Sequence, residues 1–69
     1  MDDAQRLLDL ALDLAREGAG QDAVTRLVGA ANSSADIVEA CRRVTLASDG
    51  IGGLAFSYLT GAVVQMLAG

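Results

Sequence analysis

Apolar and polar residues recur along this chain at a helical period almost from its first residue. Placed 100° apart, Ala4, Leu7, Leu8, Leu10, Ala11, Leu12, Leu14 and Ala15 fall on one arc, and Gln5, Arg6, Asp9, Asp13, Arg16 and Glu17 fill the complementary arc. The pattern predicts a first helix over about residues 3–17, capped by Asp2 or Asp3 and ended by Gly18 as a left-handed residue. Its apolar arc of about 200° calls for cover on more than one side. After a connector at 19–21, Ala23, Val24, Leu27, Val28, Ala30 and Ala31 share a face opposite Asp22, Thr25, Arg26 and Gly29. They predict a short second helix over about 22–31, which only tertiary packing can hold.

Asn32, Ser33 and Ser34 read as a turn, and Ser33 as N-cap puts Asp36 at the third helical position. A third helix over about 34–47 follows, with Ile37, Val38, Ala40, Cys41, Val44 and Ala47 inward and Glu39 within reach of Arg42 and Arg43. Ser48, Asp49 and Gly50 break the pattern. The fourth helix, over about 51–67, differs in kind, because all fourteen formal charges of the chain precede residue 50. Its weakly polar stripe (Ser57, Tyr58, Gly61, Gln65) is narrow, and Ala55, Phe56, Leu59, Ala62, Val63, Met66 and Leu67 cover the rest. A helix apolar nearly all round is buried in a bundle, in an oligomer or in lipid.

Four such helices in 69 residues predict a single all-α domain, a compact four-helix bundle. A chain this short buries only about 60% of the surface its unfolded form exposes, so it needs support. The single cysteine, Cys41, excludes an internal disulfide, and the absence of histidine excludes the common zinc sets. The apolar side chains are also small, with 13 Ala, 10 Leu and 6 Val against one Phe, one Tyr and no Trp. The expected support is therefore a second subunit, making a dimer through the C-terminal helix. Gly53, Ser57 and Gly61 recur every four residues and permit close helix approach. The seam is expected on Gly53, Phe56, Ser57, Leu59, Gly61, Val63, Met66 and Leu67, with Tyr58 at its polar edge.

Net charge is −4 with a pI near 4.3, which repels a phosphate backbone and makes nucleic acid a poor partner. The second and third helices have the spacing of a helix-turn-helix and carry Arg42 and Arg43, yet Asp36 and Glu39 occupy the half that would read bases. The stretch from DAVTRLVGAAN to ADIVEACRRV resembles the corresponding helix pair of ubiquitin-associated domains, with Asn32 between the helices. It covers barely 20 residues, and Gly18 to Gly20 do not match that family's binding loop. The resemblance thus implies helical geometry and no binding site.

Catalysis has little to use. With no histidine or lysine, the candidates reduce to carboxylates, Tyr58, serines and Cys41. Asp9 and Asp13 share a face but read as a solvated one, Cys41 reads as a small core residue, and GIGG at 50–53 lacks the lysine of a phosphate loop. No enzyme activity, cofactor or metal is expected. The opening Met1, Asp2, Asp3 is unlike a secretory signal, and one free thiol suits a reducing cytoplasm. An all-arginine basic set amid abundant Ala, Gly, Val and Asp fits a GC-rich bacterial genome. The expected function is a cytoplasmic protein-interaction or self-assembly module. Its alternatives are a tail-anchored membrane protein using residues 51–68, or a helix-turn-helix regulator using helices 2 and 3.

Overall fold

The computed structural model describes residues 2–46 and 50–68, apart from the side chains of residues 45 and 46. It folds them into four helices and no strand: α1 (Asp3–Glu17), α2 (Gln21–Ala30), α3 (Ser34–Leu46) and α4 (Gly50–Ala68). Ala47, read from the pattern as inward and as the end of the third helix, lies outside the described residues, as does the break at Ser48 and Asp49. The radius of gyration of 10.3 Å is slightly below the roughly 11 Å expected of a globular chain of this length.

Local chemistry accounts for where the helices begin and end. Asp2 caps α1, its carboxylate accepting from the Gln5 amide at 2.8 Å. Gly18, at φ 70° and ψ 40°, ends α1 in the left-handed region. There its N–H donates to the Ala15 carbonyl while the Ala19 N–H reaches back to Leu14, the paired bonds of a Schellman ending. Gly20 also holds a positive φ, 64°, and caps α2 without a side chain. At the other end of α2, Ala31 is extended at ψ 139° and so stands outside the helix. Ser33 Oγ accepts from the Asp36 amide at 3.4 Å, a long N-cap bond at the start of α3.

α1 and α4 form the middle of the domain, each approached by the other three helices, while α2 and α3 flank them without approaching each other. The wide apolar arc of α1 is thereby covered on several sides. Leu7, Leu14, Leu27, Ile37, Val44 and Leu59 are the large side chains fully buried between the helices. Ala4, Ala11, Ala15, Ala23, Ala40, Ala55 and Ala62 fill the space between them, and no polar or charged residue is buried among the described residues. So many alanines let the helices approach closely. Val38 corrects the sequence reading, being 53% exposed. On α3 the stripe Ile37, Ala40 and Val44 faces inward, and Val38, turned 100° from Ile37, falls beyond its edge.

Candidate interaction surface

Surface polar groups close the sides of the bundle. Arg43 donates to both carboxylate oxygens of Asp2, at 3.0 and 3.1 Å, and to Glu39 at 3.0 Å, tying the start of α1 to α3. Arg42 donates from Nε to Glu39 at 3.0 Å. The Arg43 guanidinium, with the Gln5 amide, lowers the Asp2 pKa to about 2. Arg42 and Arg43 together lower that of Glu39 to about 2. Arg6 lies 3.5 Å from Asp3 and donates to the Ala30 carbonyl at 2.9 Å, where a cation suits the C-terminal end of α2. Arg16 pairs with Asp13 at 2.9 Å, and Arg26 lies 4.0 Å from Glu17. All five arginines therefore face carboxylates, which leaves no concentration of free positive charge to attract phosphate. Among the described residues no cluster of three or more Cys, Asp and Glu could hold a metal ion.

The α4 helix presents a different surface. Gly52, Ala55, Tyr58, Leu59 and Ala62 make its buried stripe, three small residues beside two large ones. Four other large apolar side chains are exposed: Phe56 at 38%, Leu54 at 39%, Val64 at 61% and Leu67 at 75%. Gly53, Ser57 and Thr60 are exposed between them. At the α3 edge of this face the Cys41 thiol lies within hydrogen-bond reach of the Thr60 hydroxyl, and burial pushes its pKa upward. The Thr60 hydroxyl also donates to the Phe56 carbonyl at 2.8 Å, one turn back on its own helix. Val38 stands one turn from Cys41 on α3 and adds to the apolar edge.

The residues assigned to a seam by spacing thus divide. Gly53, Phe56, Ser57 and Leu67 are exposed, and Val63 and Met66 are half-buried against the core. Leu59 is fully buried in the chain's own core. Tyr58 is not at a polar edge: its ring is buried, and its hydroxyl accepts from the Gly20 N–H at 3.2 Å, latching the α1–α2 connection to α4. Gly61 faces α2, where an added Cβ would stand 3.1 Å from Val24 Cγ2. The line of small residues therefore splits, with Gly61 serving contact within the chain and Gly53 and Ser57 facing outward. A tyrosine pairing with a backbone amide 38 residues away leaves no mark in a local pattern.

By length and composition α4 could cross a membrane, with 19 residues at a mean hydropathy of 1.5 over its most apolar stretch, of which 22% is buried. Comparison with protein-family models, with curated proteins and with solved structures finds no match to this chain. The short likeness to ubiquitin-associated domains accordingly carries no function here.

Proposed function

We propose that the chain is a non-catalytic helical interaction module that assembles with itself along the outer face of α4. One observation carries this reading: with Tyr58 and Leu59 already buried on the inner side of α4, further large apolar side chains, Phe56, Val64 and Leu67, stay exposed on its uncharged outer side. An exposed apolar face without charge is characteristic of an interaction surface. The charged faces of α1, α2 and α3, bearing Asp9, Asp13, Asp22 and Arg42, have no such character. A cytoplasmic setting suits a folded acidic domain of this kind. The test is sedimentation equilibrium over micromolar to millimolar concentration. The native chain should be dimeric or larger, and Leu67→Glu should be monomeric at an unchanged circular dichroism spectrum. A native chain that stays monomeric throughout refutes the proposal.

A membrane span by α4 is the second reading, favoured by its length and hydropathy. The same helix packs on α1, α2 and α3 and shares one buried core with their Leu7, Leu14, Leu27, Ile37 and Val44. Withdrawing it into lipid would uncover much of that set, at a cost on the order of 10 kcal/mol. The two states exclude each other. Recovery of folded protein without detergent favours the soluble module, and recovery only with detergent favours the span.

A further inference from the structure

We propose that α2 is a strap that leaves the domain and unwinds as a unit while α1, α3 and α4 stay folded, uncovering the side of α4 that carries Gly61 and the Tyr58 hydroxyl. Topology sets α2 apart. The helices α1, α3 and α4 each pack on the other two, whereas α2 packs on α1 and α4 and does not approach α3. Its share of the core is also the smallest. Ala23 and Leu27 are its buried residues, so one large side chain anchors it, where α1 has Leu7 and Leu14 and α3 has Ile37 and Val44. The helix is weak in itself: it has 10 residues, the β-branched Val24, Thr25 and Val28 and the interior Gly29 lower its propensity, and Gly20 caps it without a side-chain hydrogen bond. Off the core such a helix does not persist, so undocking and unwinding are one event.

The connections at both ends allow it. Gly18 and Gly20 stand at positive φ on either side of Ala19, and glycine turns there at little cost. At the other end Ala31 is extended, and the Asn32 side-chain amide donates to the Asp3 carboxylate at 2.7 Å, which holds the start of α3 to the start of α1 without α2. Arg43 on Asp2 ties the same two helices farther along α3. Residues 18–33 drawn out would reach about 50 Å, more than twice the roughly 22 Å length of α1 along which they run. Opening α2 therefore pulls on neither end. What it breaks is local, namely the Gly20 N–H on the Tyr58 hydroxyl, Arg6 on the Ala30 carbonyl, the packing of Val24 over Gly61 and the burial of Leu27. An opening of that extent lies well below the unfolding of the whole domain.

The experiment is hydrogen exchange of the whole chain, read by NMR in urea too dilute to unfold it. The α2 amides of residues 25–31 should exchange through one shared opening, about tenfold or more faster than the slowest amides of α1 and α4, and with a weaker dependence on urea. Val44→Ala trims an α3 side chain that stays packed when α2 is open. It should speed the slow amides of α1, α3 and α4 about tenfold and leave those of α2 within about twofold of their native rates. Ile37→Val, a smaller loss on the same helix, replaces it should Val44→Ala not fold. Equal rates for α2 and the other helices in the native chain, or α2 amides that speed up in step with the rest in either variant, would overturn the proposal, because α2 would then unfold only with the whole domain.

Discussion

Adding one methyl group at Gly61 tests whether α4 closes on α2 at that point or leaves it open. The new Cβ would stand 3.1 Å from Val24 Cγ2 and 3.9 Å from Cγ1. Carbon atoms in contact prefer about 3.5–4.0 Å, so the nearer methyl must withdraw by about 0.4–0.9 Å. Val24 is β-branched and held near one rotamer in a helix, so the displacement falls on that rotamer or on the spacing of α2 and α4. Overpacking of this kind costs about 1–3 kcal/mol. Against it stands the gain of about 1 kcal/mol for alanine over glycine inside a helix. Gly61→Ala should therefore lower stability by about 1 kcal/mol, or about 4–8 °C in Tm for a domain of this size.

The sign reverses once the neighbour is trimmed. With Val24→Ala in place, the methyl at residue 61 has room, and the same substitution should stabilise by about 1 kcal/mol. Urea and thermal unfolding of the four proteins in the cycle, followed by circular dichroism, yields a coupling of about 1–3 kcal/mol. If Gly61→Ala stabilises equally in both backgrounds, α4 does not close on α2 there and the assignment of Gly61 to packing within the chain is wrong.

Two other substitutions probe the polar contacts. The pKa values of Asp2 and Glu39 lie near 2 in the fold, below the ordinary 3.8 and 4.5, so the stability they contribute is present above about pH 4.5 and is lost as pH falls toward 2. Arg43→Gln should flatten that acid limb in urea midpoints taken from pH 7 to pH 2, and an unchanged limb would remove Arg43 from the account. Tyr58→Phe takes the acceptor from the Gly20 N–H and should cost about 1 kcal/mol, a fall of about 4–8 °C in Tm. A melting curve that does not move would mean the latch contributes nothing.

Helices α1 to α3 were legible because their charges mark the wet side. In α1, Asp9, Asp13 and Arg16 fix the rotation of the helix, and Asp2 and Gly18 supply its caps. Val38 shows the limit of that reading: Ile37 and Val38 are adjacent apolar residues, and the pattern alone does not rank which faces inward. In α4 no charge marks a solvent side, so the phase of the helix was open. Spacing alone therefore puts Leu59 on an outer seam and Tyr58 at its edge, whereas the fold turns both inward. What orients α4 is non-local, namely Val24 against Gly61 and the Gly20 amide on the Tyr58 hydroxyl. Neither contact has a signature within its own stretch of sequence.

The distribution of side-chain size on α4 bears on its purpose independently of its hydropathy. Three helices approach it, and Gly52, Ala55 and Ala62 let them pack closely around the buried Tyr58 and Leu59. Nothing in the folded monomer asks for large apolar groups on the other side. At 61% and 75% exposure, Val64 and Leu67 have little to lose within the monomer by becoming polar, since the apolar area they remove from water is small. A charge at either position would also favour solubility. The outward bulk gains free energy only when a second surface covers it, at roughly 25 cal/mol per Å². Glutamate at residue 67 should thus leave the monomer's stability within about 0.5 kcal/mol of the native value. If instead it destabilises the isolated monomer by several kcal/mol, Leu67 belongs to the core of the single chain and the outer face of α4 loses its claim to a partner.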